Sequence, residues 1–464
     1  MDIKSLFRED RYLPDRFAVV TYSEKLTYEE FYRMASSLSM ENYSAVAVKA
    51  DIGTELLILL YACLINDTAL IMISPDYTTE QTEKILVDTS PDIFLCAEKF
   101  KQNDSSLTVE NFVRNGGSYV AAVSSSKKGK SLLPDETFLV LFTSGSSGKP
   151  KGVCISRNNI LTDMYAIGRS YIHAPESIYL HIMPLYHIFG IISSMTVLWE
   201  CGTLCIGGGI SALMHDMKYF SPTALDIVPE AAAYILKRVC SGGTELLGGR
   251  LKTILCGGAQ VRRDIVTGWA EKGVIVWGCY GMTECSACVC FSDSSCTAGT
   301  AGRPINCNQV RIGQDGMIYV SGSNIMLGYL NGDRSRFSGN WFCTGDLGYF
   351  NDSGELVITG RSDNLITTDS GENILFAKVE SILKSNPCVI DVRMQHKYIE
   401  GIPKEQVIYV RVAEGADIQG FLQWKERMLG KQFSGLKFIV CGENEWMNDK
   451  IFGSEQFNGR KFQL

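Results

Sequence analysis

From Leu26 to Ala97 the chain switches repeatedly between two apolar patterns. LTYEEFYRMASSL and ELLILLYACLI carry helix-like spacing, whereas SAVAVKA, ALIMIS and DIFLCA are short apolar runs of strand length. Strands that alternate with helices are joined by crossovers, so they pair in parallel, and a parallel sheet must be covered on both faces. The alternation runs on to about residue 280 and predicts an α/β core. Glycine-rich short strands follow, GMIYVSGSN and GELVITGR, and predict a β-rich subdomain. Past Arg361 the pattern restarts with AKVESILKS, VIDVRMQHK, EQVIYVRV, FLQWKERML and LKFIV, enough for a small α+β domain with its own core. The expected organisation is α/β: residues 1–361 form a large N-terminal region of stacked α/β subdomains plus the β-rich one, and residues 362–464 form a small α+β domain. Asp363 marks the candidate hinge.

Within this frame, LVLFTSGSSGKPKGV at 139–153 is the segment richest in chemistry. Leu139 to Phe142 read as a buried strand. Thr143, Ser144, Gly145, Ser146, Ser147 and Gly148 then open the backbone so that N–H groups and hydroxyls can surround a phosphate, and Lys149 and Lys151 add positive charge. The segment is not the P-loop of kinases and GTPases, which needs a glycine where Thr143 stands and a hydroxyl residue where Pro150 stands. Proline there also disfavours a helical Lys149. A Ser- and Lys-rich connector, Ser124 to Ser131, precedes this segment and is expected to be exposed.

A net charge of −7 and a pI near 5.5 argue against a surface built to hold nucleic acid by its phosphates. The opening MDIKSLFRED lacks a basic-then-apolar leader, so a cytoplasmic location is expected, and the sixteen cysteines then read as small reduced core residues. Cys285, Cys288, Cys290 and Cys296 could in principle hold a metal, but the pair flanking Val289 looks like strand alternation, which favours packing. Ser177 to Trp199 is the longest stretch without a formally charged residue. Pro184, His181 and His187 interrupt it, so it reads as a buried helix with its entry loop rather than a transmembrane segment.

Four more motifs suit a nucleotide. CGGAQ at 256–260 follows the strand LKTIL and offers a bare backbone, Gly257, Gly258 and Ala259, against which a flat base can lie. YGMTE at 280–284 follows VIVWGC: Tyr280 can stack on a base beside Gly281, Thr283 can touch a phosphate, and Glu284 can hold Mg²⁺. TGD at 344–346 supplies Asp346, which can accept both hydroxyls of a ribose, and GR at 360–361 brings Arg361 to the same region.

Taken in order, LTYEEF, TSGSSGKPKGV, PLYHIFG, CGGAQ, YGMTE, IMLGYLN, WFCTGDLGYF and GELVITGRSDNLI resemble the adenylate-forming superfamily of acyl- and aryl-CoA synthetases, nonribosomal adenylation domains and beetle luciferase. The resemblance covers nearly the whole chain. It implies that a carboxylic acid attacks the α-phosphate of ATP to give an acyl-adenylate and pyrophosphate, after which a thiol takes the acyl group. The cofactors implied are ATP, Mg²⁺ and CoA, or the phosphopantetheine of an acyl carrier protein. The resemblance also implies a lysine from the C-terminal domain bridging acid and phosphate. The family's Gly-Lys-Ile appears here as Asn448-Asp449-Lys450-Ile451 without its glycine, while Asn458 to Lys461 keeps the glycine but lies further on; spacing favours Lys450 over Lys461.

Other departures are Phe376 in the loop after the hinge and Ser146 in place of the loop's middle threonine. His187 matches the histidine of acyl- and aryl-acid ligases. Between Pro184 and Trp199 no acidic residue waits for an ammonium group, so Met183, Phe189, Ile191, Ile192 and Met195 are expected to line an apolar pocket for a medium-chain or aromatic acid. Cys279 stands where related ligases often place a tunnel-opening glycine, and Asp226 is the one carboxylate that could reverse the view. The rival reading is a non-catalytic adenylate-binding protein, suggested by the altered lysine motif.

Overall fold

The computed structural model describes residues 7–8, 10–100, 108–117, 132–144, 150–170, 176–362, 365–367, 373–399, 402–429 and 436–441. The Ser124–Ser131 connector, Gly145 to Lys149, Asp363, Lys450 and Lys461 lie outside them.

Two mostly parallel sheets carry the larger part of the chain. The first has nine strands in the order Arg303–Pro304, Cys290–Ser292, Ile275–Tyr280, Thr253–Gly257, Ala224–Ile227, Ile178–His181, Thr203–Ile206, Phe17–Val20 and Lys25–Thr27. The second has six: Gly328–Tyr329, Pro150–Ser156, Thr137–Ser144, Ala69–Met72, Ala45–Lys49 and Ile93–Cys96. The predicted alternation therefore holds, with one exchange. Phe17–Val20 and Lys25–Thr27 join the first sheet rather than the second, pairing with Thr203–Ile206. An antiparallel sheet of five strands contains Met317–Gly322, Trp341–Phe350 and Leu356–Arg361 and is the predicted β-rich part.

Local chemistry fixes the helices between these strands. Thr27 and Glu30 close a reciprocal capping box that starts the helix Tyr28–Ser37, whose Tyr28, Phe31 and Ala35 are buried at helical spacing. Thr54–Asn66 is buried nearly all round, as expected for a helix between a sheet and other helices. The Ser177–Trp199 stretch is not one helix with a loop. Its first part, Ile178–His181, is a strand paired on both sides, and only Ile188–Trp199 is helical. A short apolar run has no period by which strand and buried helix can be told apart. Among the described residues no helix is long and apolar enough to cross a membrane.

Register explains how the first sheet serves two purposes. Leu180, Leu225, Ile254 and Val276 are neighbours across four parallel strands and enter one core on one face. The next register row, His181, Asp226, Leu255 and Trp277, therefore points to the other face, towards the helix Ile188–Trp199. Beyond Arg361, Ile366, Phe376, Val379, Leu383, Ile408, Phe421 and Phe438 pack together in a core of their own.

Candidate active site

Thr137–Ser144 and Pro150–Ser156 form an antiparallel hairpin in which Thr143 faces Lys151 and Ser144 faces Pro150. Pro150 therefore opens a strand rather than a helix, in keeping with its missing N–H. Lys151 Nζ lies 5.2 Å from the ring centre of Tyr329 and 3.9 Å from Asp333 Oδ2. Tyr329 pairs with Val153 along the outer edge of this hairpin. Its hydroxyl donates to Glu284 Oε1 at 2.7 Å. Tyr329 thereby joins the phosphate hairpin to the carboxylate of YGMTE, a link that no single motif contains.

Glu284 and Thr283 sit on one 3₁₀ turn directly after the strand Ile275–Tyr280, and the Glu284 carbonyl accepts from Met326 N–H at 2.9 Å. Gly281 permits this turn, since an added Cβ would meet the Ala287 carbonyl oxygen at 1.6 Å. The turn is pinned from behind. Asp163, fully buried on the helix Arg157–Ser170, accepts from Asn324 Nδ2 at 2.7 Å and from Cys288 N–H at 3.2 Å. Asn324 Nδ2 also reaches the Cys285 and Cys288 carbonyls at 3.0 and 2.9 Å. Burial drives the Asp163 carboxyl well above its usual range, with Asn324 and the Cys288 N–H pulling the other way. Cys285, Cys288 and Cys290 are buried in the main core.

Asp346 sits in the same neighbourhood. Tyr280 Oη donates to its Oδ2 at 2.6 Å, and Arg361 Nη1 bonds its Oδ1 at 3.0 Å. Arg361 reaches it because the two residues are register partners on adjacent strands. Burial raises the Asp346 carboxyl; Tyr280, Arg361 and Arg336 oppose that, and the Glu284 charge adds to it. Tyr280 was expected to offer its ring to a base. Its hydroxyl has a second task, orienting the carboxylate proposed for the ribose.

Gly257 ends the strand next to Tyr280's, followed by Gly258 and Ala259. An added Cβ at Gly257 would come within 3.2 Å of the Phe189 ring, so the glycine lets Phe189 lie flat on the strand end. His187 caps the helix Ile188–Trp199 without a side-chain cap bond, and its ring lies 4.7 Å from that of Tyr186. Burial lowers the His187 pKa, while Asp76 acts against the shift.

Beneath Phe189, between this helix and the sheet, lies a cavity of about 10 Å³ lined by Ile167, Tyr179, Phe189, Ile192, Ser193, Thr196, Val197, Asp226, Leu255, Cys279 and Phe291. Only Phe189 and Ile192 of the five expected pocket residues line it; Ile191 and Met195 are buried in the main core. The reason is helical phase: positions 189, 192, 193 and 196 share one face, and 191 and 195 another. The pocket end is also less apolar than expected, because Asp226, Ser193 and Thr196 reach it.

Comparison with known proteins agrees with this arrangement. The model of the AMP-binding enzyme family matches residues 6–330. The 2-succinylbenzoate–CoA ligase of Bacillus cereus is 26% identical over 402 residues, 82% of each chain, and that of Bacillus subtilis is 24% identical over 99% of this chain and 98% of its own. Two solved structures share the fold at a TM-score of 0.74: the Bacillus subtilis O-succinylbenzoate coenzyme A synthetase with ATP and magnesium, 23% identical over 93% of this chain and 94% of its own, and the ATP-bound MatB of Rhodopseudomonas palustris, 21% identical over 95% and 94%. With the family match spanning more than half the sequence, the chain belongs to the AMP-binding enzymes.

Proposed function

We propose that the chain is an AMP-forming acid–thiol ligase that activates a carboxylic acid with ATP and passes the acyl group to CoA. The observation that carries this reading is the Lys151–Tyr329–Glu284 series lying beside the Tyr280–Asp346–Arg361 set, one suited to phosphates and the other to a ribose. In the first half-reaction the acid's carboxylate oxygen bonds the α-phosphorus and the bond to pyrophosphate breaks. In the second, the thiol sulfur bonds the acyl carbon, AMP leaves with the shared oxygen, and the thiol proton passes to solvent.

Both reactants of the first step are anions, so the site must lower the cost of their approach. Lys151 and the segment Gly145 to Lys149 serve the triphosphate. Glu284 is a hard oxygen ligand, and its Oε1 is held by Tyr329, which fits it for Mg²⁺. When bound, Mg²⁺ would supply charge neutralisation at the phosphates. Thr283, on the same turn, serves the phosphate, Asp346 the ribose, and Gly257 to Ala259 the base. His187, two residues before the cavity-lining Phe189, orients the carboxylate. Residues 362–464 serve as a mobile domain hinged at Asp363, delivering Lys450 for adenylation. The ATP and CoA requirements suit the cytoplasm.

The acid has an aryl or medium-length tail, in keeping with the relatives' names. The test is ATP–pyrophosphate exchange over fatty, aryl and amino acids, followed by CoA or a phosphopantetheinyl carrier protein with the best acid. Lys450→Ala should nearly abolish exchange yet leave thioester formation from supplied acyl-adenylate intact. Exchange lost in Lys461→Ala instead would move the role to Lys461, and ATP binding without exchange for any acid would overturn the ligase reading.

A further inference from the structure

The closed end of the acid cavity holds polar groups that the reaction does not use. Asp226 is 1% exposed, and its Oδ1 has no hydrogen-bond partner among the described residues. His181, its register partner on the next strand, is equally buried, and its Nε2 also lacks a partner. The Ser193 hydroxyl stands 3.4 Å from His181 Nδ1 and acts on Asp226 as well. A buried carboxyl with an orphaned oxygen is costly unless something completes it. The residue next to it on the cavity wall could as easily have been a leucine, as Leu255 is on the adjoining strand.

The cavity says what completes it. Its volume of about 10 Å³ admits a group the size of one water. No lysine or arginine is among the residues lining it, so a second carboxylate on the substrate would enter beside Asp226 without a counter-ion. Its upper boundary is Phe189 lying on Gly257, with Cys279 beside it, immediately under the nucleotide-facing strand ends. A substrate whose carboxylate lies at those strand ends would therefore send its far end past Phe189 towards Asp226.

Resting on the ligase reading above, we propose that Asp226 and Ser193 select a carboxylic acid whose far end carries a neutral hydroxyl, donated to Asp226 Oδ1. Burial raises the Asp226 pKa to about 7, which suits a neutral partner better than an anion. A site built to bond a hydroxyl discriminates strongly, because an analogue without it leaves the buried carboxyl unsatisfied.

The experiment is ATP–pyrophosphate exchange with acids matched in pairs: 4-hydroxybenzoate and benzoate, 4-hydroxycinnamate and cinnamate, 6-hydroxyhexanoate and hexanoate, with the dicarboxylate 2-succinylbenzoate alongside. In at least one pair the hydroxylated member should lead in kcat/KM by about 100-fold. Asp226→Leu should reverse that preference, Asp226→Asn should retain part of it, and Ser193→Ala should weaken it even if the leucine variant does not fold. Parity within every pair, or 2-succinylbenzoate outpacing every hydroxylated acid, overturns the inference while leaving the ligase reading intact. Silence with every acid removes the ligase reading instead; calorimetric titration of the same pairs then decides the pocket, with equal affinities overturning the inference.

Discussion

Two buried carboxylates, one at the proposed nucleotide end and one at the proposed acid end of the site, are furnished in opposite ways. Asp346 has Tyr280 on one oxygen and Arg361 on the other. Asp226 has an oxygen with no partner among the described residues and a neutral histidine for a neighbour. The nucleotide end is thus built before any ligand arrives, as a site that serves one invariant substrate can be. At the acid end, a polar group is left for the ligand to complete, which is where selectivity is obtained at the least cost in packing.

Removing the furnished carboxylate should have the largest effect. Asp346→Ala deletes the acceptor proposed for two ribose hydroxyls and removes the carboxylate that Tyr280 and Arg361 both bond. At about 1.5–3 kcal/mol for each charge-assisted bond, kcat/KM for ATP should fall by roughly a thousandfold. A fall of less than tenfold in steady-state assays would mean that the ribose lies elsewhere and that the two ends are not furnished as argued.

The orphaned carboxylate predicts a pH effect of the opposite kind, on stability. Asp226 titrates near 7 when folded and near 3.8 otherwise, so its contribution is fully present below about pH 4 and is lost as pH rises through 7. His181, held to about 4 by burial, contributes above pH 6.5 and loses that as pH falls towards 4. Between these limits the two oppose each other. Of the other groups around Asp226, Ser193 is neutral, and the Cys256 thiol is pushed up to about 12. Asp226→Asn removes one slope and keeps the other. Relative to the natural chain it should gain about 3 kcal/mol in urea unfolding between pH 5 and pH 8. An unchanged difference would show that Asp226 is ionised in the folded state and already has a partner.

The residues of the proposed nucleotide end stand out in the sequence because they fall in contiguous runs. Tyr280, Thr283 and Glu284 fall within five residues, and the strand before them sets their direction. What joins the runs was not legible. Tyr329 reaches Glu284 across 45 positions, and Asn324 reaches Asp163 across 161. A lone tyrosine in IMLGYLN and a lone aspartate on a helix carry no local signal of such pairing. At the proposed acid end, the sequence showed the helix after PLYHIFG but not its phase, and Ile191 and Met195, expected in the pocket lining, lie in the main core. Asp226 stood out only as a charge in an apolar strand; the parallel register that sets it beside His181 is a property of the sheet.

The link between the hairpin and the proposed metal ligand Glu284 offers the smallest and most specific test of a pre-built nucleotide end. Tyr329→Phe keeps the ring under Lys151 and the pairing with Val153 but removes the hydroxyl that fixes Glu284 Oε1. A hydrogen bond to a charged group contributes about 1.5–3 kcal/mol at most, and water can replace part of it, so the Mg²⁺ needed for half-maximal exchange should rise about tenfold. The apparent KM for the acid should not move, since Tyr329 is not among the residues lining the acid cavity. Were both constants to rise together, the hydroxyl would be supporting the whole site rather than one ligand, and the separation between a furnished end and an open one would lose its basis.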